Sequence, residues 1–118
     1  MEEERRRSTA GEEIGALIPP GETFILVDDE QWEGGEVVSG RHALPFLERD
    51  GQYWGAPPDD DTAIRELERL RRSGASFLAC AWPAFWWLDY YADFHGHLRS
   101  NFPCVLANAR LVAFHLRP

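Results

Sequence analysis

Phe77-Leu78-Ala79-Cys80-Ala81-Trp82-Pro83-Ala84-Phe85-Trp86-Trp87-Leu88-Asp89-Tyr90-Tyr91 is the stretch on which the reading of this chain turns. An apolar run of strand type ends at Trp82-Pro83 and passes directly into a helical spacing crowded with aromatic rings. A continuous apolar run suits a strand covered on both faces, as in a parallel sheet. Open α/β sheets bind ligands at the carboxyl ends of such strands. The junction is therefore the first place to look for function, although it carries no recognisable catalytic set.

Upstream, Pro19-Pro20-Gly21 breaks the chain before Thr23-Phe24-Ile25-Leu26-Val27, a second buried-strand run that stops at Asp28-Asp29. Residues 33–43 are glycine-rich and loop-like. Segments 44–49 and 52–54 flank Asp50-Gly51, a dipeptide suited to a type I′ turn because both central residues need positive φ, so a small hairpin is expected there. A helix is expected at about 62–73, with Asp61 as N-cap, Ile64, Leu67 and Leu70 as its buried stripe and Gly74 just past its end. The Asp59-Asp60-Asp61 run reads as cap and loop solvation and not as a cation site. After the aromatic helix, expected at about 84–99, residues 104–107 and 111–116 read as two strands.

The order β, hairpin, α, β, α, β, β implies an α/β fold: a small Rossmann-like, mostly parallel sheet with an antiparallel edge strand and an inserted β-hairpin. Residues 1–13, charged and without apolar period, read as a solvated arm, a linker or a frayed helical lead-in; residues 14–118 read as a single α/β domain.

Composition narrows the function classes. The chain has 118 residues and a formal charge of -8, an acidic balance with no basic face of the kind that neutralises phosphates, so nucleic acid is not an expected partner. No apolar run reaches the roughly 20 residues needed to span a bilayer, and the Met-Glu-Glu-Glu-Arg-Arg-Arg start lacks the apolar core of a signal peptide. Two cysteines make no disulfide framework, Cys80 reads as a small buried thiol, and a cytoplasmic location is the default.

Phasing the aromatic helix at about 100° per residue gives it two ring-bearing sides. Ala84, Leu88, Tyr91, Ala92, His95 and Leu98 form one stripe, flanked by Trp87 and Phe94, that should face the sheet. Trp86, Tyr90, Asp93 and His97 fall on the opposite side, where an ordinary surface helix would carry Lys, Glu or Arg. Trp and Tyr supply much of the energy at interfaces, and sugars stack on such rings while a carboxylate accepts from a hydroxyl. These four are the first contact candidates. Cover by a loop or by residues 14–18 is the plain alternative.

A second candidate is the sheet rim, where Asp28, Asp29 and Trp82 would meet at the strand ends with Trp32 nearby, and the following loop adds Arg41 and His42. Catalytic motifs are missing: there is no G-x-S-x-G elbow, phosphate-binding loop or G-x-G-x-x-G. His95 and His97 point about 200° apart on a regular helix and cannot chelate one metal, and adding Cys104 gives no accepted zinc spacing. No metal and no cofactor is expected. The weak catalytic candidates are Asp28, as base or orienter, and His42, as acid–base partner.

Taken together, Ile18-Pro19-Pro20-Gly21-Glu22-Thr23-Phe24-Ile25-Leu26-Val27-Asp28, the helix end at residues 65–74, Trp86-Trp87-Leu88-Asp89-Tyr90-Tyr91 with His97-Leu98, and the closing Val112-Ala113-Phe114-His115-Leu116 carry a likeness. The chain resembles the small α/β accessory domains attached to bacterial glycosyltransferases and other surface-polysaccharide biosynthesis proteins, over about residues 14–117. The resemblance implies a carbohydrate-related setting beside a catalytic domain, and it carries over no catalytic residue. A partner domain, usual in that arrangement, is missing from this chain; were the chain an excised segment, residues 1–13 would be linker.

The leading expectation is a non-catalytic accessory or binding module of glycan assembly, touching a carbohydrate or a parent or partner protein through Trp86 and Tyr90, then Trp82 and Trp32. A small standalone enzyme of hydrolase or transferase type at the rim, and a homodimer formed through the exposed rings, stay open beside it.

Overall fold

The computed structural model describes residues 2–28, 40–50 and 52–116. Helix α1 spans Glu2–Leu17, and strands β1 (Thr23–Val27) and β2 (His42–Pro45) follow. A short hairpin, β3 (Glu48–Arg49) and β4 (Gln52–Tyr53), precedes α2 (Asp60–Arg72) and β5 (Ala75–Ala81). A 3-10 turn at Trp82–Ala84 leads into α3 (Trp86–Tyr90) and α4 (Ala92–Asn101), and the chain closes with β6 (Cys104–Ala107) and β7 (Leu111–His115).

Five strands form one sheet in the order β2-β1-β5-β7-β6. β1 pairs in parallel with β2 and β5, while β7 runs against both β5 and β6. The fold is thus α/β, with a mostly parallel sheet and an antiparallel β7–β6 edge, and the β3–β4 hairpin stands apart as its own small sheet.

Both runs of apolar residues are explained by helices on both faces. Phe24 and Leu26 of β1 and Phe77, Ala79 and Ala81 of β5 pack with Ala10, Ile14 and Ile18 from the α1 side. The alternate residues Ile25, Val27, Leu78 and Cys80 pack with Leu67, Leu70, Trp87, Tyr91, Phe94 and Leu98 of α2, α3 and α4. Successive strand residues point to opposite faces, so only a sheet with two covers keeps every position apolar. Burying each large side chain fully contributes about 1.5–3 kcal/mol.

Helix α1 runs through residue 13: Ala10, Ile14 and Ile18, four apart, form a stripe that is buried on the sheet, and Arg41 donates to the Gly15 and Ile18 carbonyls at its end (2.9 and 2.8 Å). A stripe one residue wide, starting at an alanine among charges, leaves little periodic signal. The N-cap of α2 is Asp59, whose Oδ1 accepts from the Thr62 N–H at 2.8 Å, and not Asp61. Gly74 follows the Ser73 C-cap at φ 120°, a conformation that suits glycine. Finally, Leu44 and Pro45 leave the expected hairpin and pair beside Ile25 and Leu26 of β1, where Leu44 joins the core; the hairpin keeps only two residues per strand, with Asp50 at φ 54° in its turn.

Candidate binding surface

The aromatic segment is not one helix. Tyr91, at φ -100° and ψ 66°, breaks it between α3 and α4. Two remote groups hold the break. The Tyr91 hydroxyl donates to the Pro57 carbonyl at 2.6 Å, and Asp60 Oδ2 accepts the backbone N–H groups of Asp93 and Phe94 at 2.8 and 3.0 Å. The carboxylate at the start of α2 thereby satisfies donors that the first turn of α4 would otherwise leave open.

Exposure alternates sharply along α3. Trp87 and Tyr91 are 1% and 3% exposed, whereas Trp86 and Tyr90 are 44% and 70% exposed. The inner rings form a mount: Trp87 lies 5.0 Å from Tyr91 and 5.8 Å from Phe46, and Phe46 stacks on Phe94 at 5.7 Å. The outer rings rest on it, with Trp86 at 5.8 Å from Tyr90, 5.9 Å from Trp87 and 6.0 Å from Tyr91. Such ring pairs add about 0.5–1.5 kcal/mol beyond area burial. The planes of Trp86 and Tyr90 meet at 61°, so the two rings make an angled surface and not a flat one.

Because of the break, the outer stripe expected from one helix does not persist. His97 turns toward α2, with Nε2 3.3 Å from Glu68 Oε2 and its ring 6.1 Å from Phe102. Asp93 is exposed and meets Asp60 through its backbone. Trp86 and Tyr90 therefore remain the core of this surface, with the exposed Asp89 between them in sequence.

At the rim, Asp28 is buried just past β1, and Trp82 is half-buried at the same end of β5, under the Arg6 guanidinium at 5.2 Å. The Trp82 N–H donates to the Arg110 carbonyl at 3.0 Å, which ties this end of β5 to the β6–β7 turn. Asp29 and Trp32 lie outside the described residues. His42 is at the wrong end of the sheet to join Asp28: it pairs with Thr23 at the start of β1, and five residues of strand put about 16 Å between the two. The acid–base pair expected there is not assembled.

Among the described residues no three His, Cys, Asp or Glu side chains are grouped to hold a metal ion, and no helix is long and apolar enough to cross a membrane. Cys80 is buried and Cys104 exposed, both as free thiols.

One feature escaped the sequence reading. Trp54, at the end of the hairpin, is 66% exposed, and Arg49 lies over its ring at 5.5 Å. A period-2 reading of so short a strand cannot tell which side of a two-residue ladder meets water.

Comparison with known proteins gives no match among family models, curated proteins or solved structures.

Proposed function

We propose that the chain is a non-catalytic α/β binding module of glycan assembly, which engages a carbohydrate or a partner protein through Trp86 and Tyr90. The observation that carries this reading is the pair of large exposed rings held on a buried aromatic mount. Keeping two such rings in water forgoes burial, and interface hot spots are built from these residue types. The resemblance to accessory domains of polysaccharide proteins supports the glycan setting. The separation of Asp28 from His42 weighs against the enzyme reading.

The test is a glycan array followed by titration of any hit, with a parallel pull-down against glycosyltransferase catalytic domains. Trp86→Ala and Tyr90→Ala should each weaken the interaction tenfold or more, the usual cost of a central interface aromatic. Unchanged binding in both variants refutes the reading. Light scattering at increasing concentration, on wild type and the double variant, reports self-association through the same rings.

A further inference from the structure

A second site, lined by none of the residues of the Trp86–Tyr90 surface, does not depend on it. Between the β3–β4 turn and α2 lies a cleft of about 300 Å³ lined by Arg49, Asp50, Glu66 and Arg69. Its inner wall is fixed. Arg69 donates to Glu66 Oε1 and Glu48 Oε1 at 3.0 Å each, and to the Glu48 carbonyl at 2.8 Å, which laces the hairpin onto α2. The outer wall is different. Arg49 and Asp50 are adjacent and of opposite sign, yet among the described residues neither side chain has a hydrogen-bond or ion-pair partner; the Arg49 guanidinium rests on the exposed indole of Trp54. The left-handed conformation of Asp50, φ 54°, takes it off the line of the strand that carries Arg49.

We propose that this hairpin cleft binds a neutral oligosaccharide, with one sugar ring held by Arg49 and Asp50 and a neighbouring ring lying on Trp54. Charge selects the ligand class. Two guanidinium and two carboxylate groups line the cleft, so a phosphate or carboxylate meets Asp50 and Glu66, and an ammonium group meets Arg49 and Arg69. A pair of vicinal hydroxyls suffers neither conflict. One hydroxyl donates to the Asp50 carboxylate while its neighbour accepts from the Arg49 guanidinium, which has donors only. The carbon–hydrogen face of a pyranose is apolar and matches the indole, of which Arg49 covers one face. The volume is at the small end of ligand pockets, in keeping with a single ring.

The experiment is a two-dimensional nitrogen–proton NMR titration of the full chain, following the indole N–H signals of its five tryptophans, each assigned by single substitution. The probes are hexamers of glucose, mannose, galactose and N-acetylglucosamine, with hexagalacturonate as the anionic control. At least one neutral hexamer should shift the Trp54 signal at millimolar concentration. Calorimetry should then show at least a tenfold loss of affinity in Arg49→Gln and in Asp50→Asn, with Arg99→Gln, at an exposed position of α4, unchanged. Both cleft residues are exposed, and asparagine accepts a positive φ, so these variants keep the fold. The proposal is overturned if no neutral hexamer moves the Trp54 signal, if hexagalacturonate binds more tightly, or if both cleft variants bind as wild type. A hexamer that shifts the Trp86 signal alone sinks the hairpin site and leaves the α3 surface standing.

Discussion

Glu13 and Arg110 form a two-pronged ion pair across 97 residues of sequence: Arg110 Nε donates to Oε1 at 2.8 Å and Nη2 to Oε2 at 3.0 Å. Asn108 Nδ2 adds a third bond to Oε2 at 2.7 Å, while its own Oδ1 accepts the backbone N–H groups of Arg110 and Leu111. The first helix is thereby pinned to the β6–β7 turn.

That pin is sensitive to acid. The hydrogen bond from Arg110, opposed in part by burial and helped by Asn108, holds the Glu13 carboxyl below its ordinary value of 4.5. A depressed folded pKa gives stability that is complete above the ordinary value and lost as pH falls through the lower folded one. Glu13→Gln should lower the thermal midpoint at pH 7, and its gap to wild type should close as pH drops below 4.5. A gap that persists undiminished at pH 2 would show that the carboxylate charge is not the cause.

Asp60 links the start of α2 to the start of α4. Asp60→Ala removes the acceptor for two backbone donors and should cost about 0.5–2 kcal/mol in urea unfolding, the range of helix-cap deletions. Asp60→Asn keeps an acceptor oxygen and should cost less. Amide hydrogen exchange localises the effect, because the Asp93 and Phe94 amides should lose protection before those of β5.

The neighbouring tryptophans should respond oppositely to truncation. Trp87→Ala empties the centre of the α2–α4 core and should cost about 3–5 kcal/mol, a large part of the roughly 5–15 kcal/mol total of a natural domain. Trp86→Ala, at a position 44% exposed, should stay within about 1 kcal/mol. Chemical denaturation of both variants checks the contrast, and equal costs would mean that the outer ring belongs to the core.

What the sequence conveyed follows from the range of the forces involved. β1 and β5 were legible because an unbroken apolar run has few other uses, and α2 because its stripe recurs over thirteen residues. The break at Tyr91 was not legible, since its cause lies some thirty residues upstream in Pro57 and Asp60, neither of which is part of any local period. Phasing drawn through that break placed His97 beside Trp86 and Tyr90, when it pairs with Glu68. Asp28 and His42 were grouped by loop proximity, but strand register sets them at opposite ends of the sheet. Trp86 and Tyr90 stand off the buried stripe, as local phasing alone implies, because α3 itself is regular over its five residues.

The division of labour within α3 has an evolutionary corollary. Positions 87 and 91 act as the bolts of the segment, and positions 86, 89 and 90 form a faceplate carried on them. A library randomised at those three outer positions should stay largely folded while its recognition properties diverge, which would make this short segment a natural place for new specificities to arise on an unchanged chassis.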